Sequence, residues 1–175
     1  AREWNENDYT FTISDELPEI DEDKRTIKKE NRRLVVPFFY VGDRIGTIRI
    51  PQADLEAPAI RGDGDAQLRI GAGHSLHTYL PGQGSNVLFG AHHTTHFKKL
   101  EHVREGYLIY FDTAYGRFVY EIDSIFIIDG NDDSVARPTE NEQLTLYTCY
   151  PFIYYGNAPE RFIVTAKLIE SEIYE

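Results

Sequence analysis

A chain of 175 residues has room for one domain with a full hydrophobic core and is too short for two large ones. Hydrophobic residues make up 41% and charged residues 27%, a globular composition that excludes wholesale disorder. The net charge of −11 excludes general nucleic-acid binding, which needs a basic stripe against phosphates, and no apolar run approaches the roughly 18 residues of a membrane span.

In chain order, residues 1–33 read as an acidic N-terminal arm or linker, followed by a domain over 34–175. Residues 1–23 are acidic and poor in aliphatics, and Lys24, Arg25, Lys28, Lys29, Arg32 and Arg33 then give a mixed-charge stretch. Ile20 and Ile27 are its main apolar residues, which suits a short helix or an extended arm. No signal peptide is visible. The absence of Met and the start at Ala1 read as a processed or truncated chain, which leaves room for an upstream membrane anchor.

From Leu34 onward the texture changes to short β-rich runs broken by Gly, Pro, Asn and Asp. In Arg44 to Ile50, Ile48 and Ile50 alternate with Thr47 and Arg49, the period of a half-buried strand. Asn86 to Ala91 is a continuous apolar strand ending in small residues. Tyr107 to Phe111 and Arg117 to Ile128 form a hairpin, and Gln143 to Cys149 and Arg161 to Ile169 form a last strand pair. Gly71 to Gly73, Leu80 to Gly84 and Asp129 to Asp133 read as loops. Thr94 to Glu101 and Thr139 to Glu142 read as short helical turns. No βαβ alternation is present, so seven or eight closely spaced strands predict one all-β domain, an antiparallel barrel or sandwich.

The chemistry converges on the last strand pair. Cys149 ends one strand and Arg161 opens the next, so a hairpin with a loop over 150–160 sets them at the same end of adjacent strands. A guanidinium favours thiolate and can donate hydrogen bonds to an oxyanion. The bland alternatives are a buried structural thiol and a surface ion pair of Arg161 with an acid such as Glu160. As the single cysteine, Cys149 excludes an internal disulfide and a Cys-rich zinc site. A nucleophilic cysteine needs an acid/base partner. His92, His93 and His96 follow the strand that ends at Ala91, and His74 and His77 lie further upstream. His92 and His96 have the i,i+4 spacing of helical metal ligands, although no acid lies between them as in H-E-x-x-H.

These residues also resemble a family. Thr145-Leu146-Tyr147-Thr148-Cys149, followed 12 residues later by Arg161, with an upstream strand ending in a histidine, resembles the sortases. Leu80-Pro81-Gly82, Gly84, Asn86-Val87-Leu88, His92, Phe97 and Leu100 resemble the sortase segment leading into the catalytic histidine. Cys149-Tyr150-Pro151-Phe152 and Ala158 to Val164 look most like class D. The resemblance covers about Leu34 to Leu168. It departs from the family at Ala91-His92-His93, where Gly-His followed by Arg or Thr is usual.

The resemblance implies an eight-stranded β-barrel with short helices. It makes Cys149 the nucleophile, His92 the acid/base and Arg161 the oxyanion stabiliser, with Thr148 supporting substrate or oxyanion binding. It implies cleavage of a Leu-Pro-x-Thr-Gly-like (LPxTG-like) sorting signal between Thr and Gly through a thioacyl-enzyme. The acyl group then passes to an amine of a cell-wall precursor (lipid II or peptidoglycan) or of a pilin lysine. It further implies a place on the extracellular face of a Gram-positive membrane, held through the upstream anchor. No cofactor is expected. Some relatives use a calcium ion in a loop near the site, and Asp54, Glu56, Asp63, Asp65, Asp129, Asp132 and Asp133 leave calcium open here, since the whole surface is acidic. A hydrolytic cysteine peptidase, in which water resolves the acyl-enzyme, and a non-catalytic cell-surface binding module are the competing readings. An L,D-transpeptidase ranks low, because His92 precedes Cys149 by 57 residues.

Overall fold

The computed structural model describes residues 20–21, 26–27, 36–153, 156 and 158–174. Within the N-terminal stretch, β1 (Ile20–Asp21) and β2 (Thr26–Ile27) pair antiparallel, with Ile20 and Ile27 as Cα partners. The remainder of the 1–33 reading lies outside the described residues.

Eight strands follow: β3 (Arg44–Ile50), β4 (Leu55–Arg61), β5 (Ala72–His74), β6 (Asn86–Gly90), β7 (Leu108–Thr113), β8 (Gly116–Asp129), β9 (Gln143–Tyr150) and β10 (Glu160–Ile173). They close into a barrel in the order β10-β8-β7-β3-β4-β5-β6-β9, as the eight-stranded expectation requires. Closure removes sheet edges, which would otherwise offer unpaired backbone groups. Six of the eight seams are antiparallel, while β4–β5 and β6–β9 are parallel. Parallel neighbours need a crossover. For β4–β5 it carries the helix α1 (Asp65–Ile70), and for β6–β9 it is the whole β7–β8 hairpin.

Alternation along each strand divides barrel interior from exterior. Ile48, Ile50, Val87, Phe89, Phe111, Phe118, Leu144, Leu146, Val164 and Ala166 point inward as one cluster. Within it the Phe89 and Phe111 rings meet edge to face at 5.3 Å. The 14-residue strands β8 and β10 shift register twice, between Thr165 and Ala166 and between Leu168 and Glu170, and such bulges bend long strands around a small barrel.

Several local expectations are corrected. Ala72–His74 is a strand and not a loop, because its backbone pairs with both β4 and β6. Residues 93–97 form a turn, and the helical segment, a single 3-10 stretch, runs from Lys98 to His102. Thr139 to Glu142 is not helical; the 3-10 turn lies earlier, at Ser134–Ala136, where the Asp132 carboxylate accepts the Ser134 N–H at 2.9 Å.

Buried polar groups tie the loops between strands to the barrel. His74 is fully buried beside Phe89, and burial, with the Arg61 charge adding, pushes its imidazole well below the usual range. The neutral ring accepts from Arg61 Nη1 at 2.6 Å through Nδ1 and donates to the Tyr79 carbonyl at 2.8 Å through Nε2. Glu142, one residue before β9, is 7% exposed. Its carboxylate accepts the N–H groups of Gly82 and Gly84, both at 3.0 Å, and the Tyr120 hydroxyl at 2.7 Å. It thereby pins the Leu80 to Gly84 loop to the barrel. Glu142→Ala strands those donors and is expected to cost about 3 kcal/mol or more. Urea unfolding measures this, and Glu142→Gln, which keeps an acceptor, should lose less.

Candidate active site

β9 and β10 run antiparallel with Cys149 and Arg161 as direct Cα partners, so the spacing argument from the sequence yields the observed register. On β9, Leu144 and Leu146 belong to the core, which leaves Tyr147 and Cys149 on the outer face. On β10, Val164 and Ala166 point inward, so Arg161 shares that outer face. The guanidinium is held in place: Nη1 donates to the carbonyls of Ala158 and of Glu160, each at 2.9 Å, in place of the expected ion pair with the Glu160 carboxylate. Gly130, in the loop after β8, lies against the same guanidinium, because a Cβ there would stand 3.3 Å from Nη1 and 3.0 Å from the Pro159 carbonyl.

The histidine comes from the parallel seam. Gly90 on β6 pairs with Tyr147 on β9, and the Ala91 N–H donates to the Tyr147 carbonyl at 3.2 Å. Carrying that register two residues on sets His92 level with Cys149. Val87, Phe89 and Ala91 belong to the core, so Asn86, Leu88, Gly90 and His92 face outward. His92 is exposed, whereas His93 is 7% exposed and His96 is half-buried in the turn that follows. The carbonyl of His92 accepts from the N–H groups of Thr95 and Phe97, which turns the chain away from the barrel end. The turn removes the helical i,i+4 relation of His92 and His96 on which a metal reading rests. Among the described residues no group of three or more His, Cys, Asp or Glu is arranged to hold a metal ion.

Thr148 is placed differently from the expectation. It is 1% exposed on the inner side of β9 and its hydroxyl donates to the Ala91 carbonyl at 2.7 Å. It ties β9 to the residue before His92. His74, buried beside Phe89, and His77, exposed on the β5–β6 loop, stand apart from this row. The same alternation that selects Cys149 puts Tyr147 on its face, with Gly90 as its Cα partner on the parallel seam.

An exposed imidazole, a half-exposed free thiol and a fixed guanidinium thus share one face at one end of the barrel. Residues 48–169 match the family model described as the sortase domain. Sortase D of Bacillus subtilis is 34% identical over 129 residues, which cover 73% of this chain and 65% of that protein, so the chain spans just under two-thirds of that relative. A Clostridium perfringens sortase D5 transpeptidase superposes with a TM-score of 0.68 at 27% identity, covering 74% of this chain and 81% of the other. Listeria monocytogenes sortase A shares the fold, with a TM-score of 0.68 at 23% identity over 75% of this chain and 91% of the other. Barrel and matched residues agree: the chain belongs to the sortase family.

Proposed function

We propose that the chain cleaves a Leu-Pro-x-Thr-Gly-like sorting signal between Thr and Gly and passes the acyl portion to an amine of the cell wall. The observation that carries this reading is the meeting of Cys149, Arg161 and His92 on one outer face, through the 149–161 register and the parallel β6–β9 seam. The Cys149 thiolate attacks the threonine carbonyl carbon, and the carbonyl electrons move to oxygen, where Arg161 donates hydrogen bonds. His92 protonates the departing glycine amine, the C–N bond breaks and a thioester remains. An acceptor amine then attacks the thioester, His92 takes its proton, and the thiolate leaves. No cofactor enters these steps. The acceptor in this reading is a lipid II or peptidoglycan amine or a pilin lysine, reached from the extracellular face of a Gram-positive membrane. Among the described residues no helix is long and apolar enough to cross a membrane.

A fluorogenic sorting peptide with and without an added amine tests the reading. Amine-dependent transpeptidation product supports it; hydrolysis that no amine diverts makes the chain a peptidase. Slow alkylation of Cys149 by iodoacetamide together with no turnover makes it a binding module. The Arg161 assignment has its own test. Lysine keeps the charge and loses the planar fork that places two donors on one oxyanion. Arg161→Lys is expected to lower kcat by about 10²-fold or more, the usual cost of an oxyanion donor. Steady-state kinetics with the same peptide measures it, and near-wild-type turnover would reduce Arg161 to a structural charge.

A further inference from the structure

Gly130 opens the loop after β8, and the chemistry above gives it no part. The β8–β10 ladder ends at the Cα partners Asp129 and Glu160. One more hydrogen bond follows, from the Gly130 N–H to the Pro159 carbonyl at 2.9 Å. Arg161 pairs with Ile128, and direct partners share a face of the sheet. Two residues on from Ile128, position 130 falls on that same outer face, one diagonal step from Arg161. A side chain there would meet the guanidinium. A Cβ on Gly130 would stand 3.3 Å from Arg161 Nη1, 3.5 Å from its Cζ and 3.0 Å from the Pro159 carbonyl oxygen. The backbone at Gly130 lies outside the left-handed region, so this glycine answers to space and not to conformation.

The geometry points to Gly130 as a positioning residue for the oxyanion donor: its missing side chain leaves the room in which Arg161 Nη1 is anchored, and the anchored guanidinium keeps Nε–H and Nη2–H as the fork that serves the oxyanion. The inference rests on the transpeptidase reading. A guanidinium carries five N–H donors in one rigid plane. Nη1 spends its two hydrogens on the carbonyls of Ala158 and Glu160, each at 2.9 Å, and has none left for a substrate. Nε and Nη2 have no partner among the described residues, and their hydrogens lie side by side on the opposite edge of the plane. The seat thus joins two loops, with Gly130 from the one after β8 and the two carbonyls from the chain entering β10. A Cβ at position 130 would press on both halves of it, on Nη1 directly and on the carbonyl chain through Pro159. Because the plane is rigid, a push on Nη1 tilts the working fork as well.

Steady-state kinetics with the fluorogenic sorting peptide tests this on wild type, Gly130→Ala, Gly130→Val, Arg161→Lys and the Gly130→Ala/Arg161→Lys double variant. Gly130→Ala should lower kcat by about fivefold and Gly130→Val by about 30-fold or more, since small misplacements of a reacting group cost rate steeply. KM and the iodoacetamide rate of Cys149 should stay within about threefold, because the charge and the thiol remain in place. The double variant separates positioning from a general structural effect. The ammonium of Arg161→Lys has no Nη1 to seat, so in that background Gly130→Ala should cost less than about twofold. An equal loss in both backgrounds overturns the seat and leaves the transpeptidase reading standing, and so does a Gly130→Val enzyme with wild-type kcat. If the Gly130 variants fail to fold, nitrogen NMR of the wild-type arginines decides. An anchored Nη1 should give Arg161 separate Nη1 and Nη2 resonances, and a single averaged resonance overturns the seat. A wild-type protein that cleaves no sorting peptide overturns both.

Discussion

Cys149→Ala is expected to give a folded barrel that no longer cleaves peptide. Cys149 is a half-exposed free thiol near the end of β9, so loss of its sulfur removes little buried surface and should shift stability by about 1 kcal/mol or less. Turnover should fall by at least about 10³-fold, because removing a sole nucleophile leaves only binding and oxyanion stabilisation to act on water. Circular dichroism and a thermal melt check the fold, and a fluorogenic sorting peptide checks the rate. A variant that retains more than about a thousandth of wild-type turnover would rule out a covalent route through this thiol.

His92→Ala should lose about 10² to 10⁴ in turnover, the usual span for a general acid/base. His93→Ala and His96→Ala should keep at least about a tenth of activity. The difference follows from alternation. Phe89 and Ala91 face the core, His92 faces out level with Cys149, and His93 is buried. The cost of His93→Ala should therefore appear in the melting temperature and not in kcat. A dead His93→Ala variant beside an active His92→Ala variant would mean that the functional register is displaced by one residue.

What was legible in the sequence depended on how local each signal is. β3, β6, the β7–β8 hairpin, β9 and β10 are visible because β-branched and aromatic residues alternate or run together between turn residues. β4 is hidden by Pro58 and by the small residues Ala57 and Ala59, although its backbone pairs along the whole length of β3. β5 is three residues long with Gly73 at its centre, and only its neighbours define it. α1 buries no residue, so it has no apolar stripe for periodicity to find. The same division runs through the site. Cys149 and Arg161 belong to one hairpin, and counting residues along the chain suffices to pair them. The contact of Tyr147 with Gly90 and the height of His92 depend on β6 lying parallel to β9, a neighbour relation that no local pattern encodes.

The parallel seam also divides the assembly of the site in time. The β9–β10 hairpin can form from adjacent chain, bringing thiol and guanidinium together at modest entropic cost. β6 can join β9 only after the long intervening stretch has been looped out, and the cost of closing a loop rises with its length. A chain with its hairpins made and this seam open carries the thiol and its oxyanion donor but lacks the imidazole that must protonate a leaving amine. On the mechanism proposed above, reactivity toward peptides waits on closure of the β6–β9 seam.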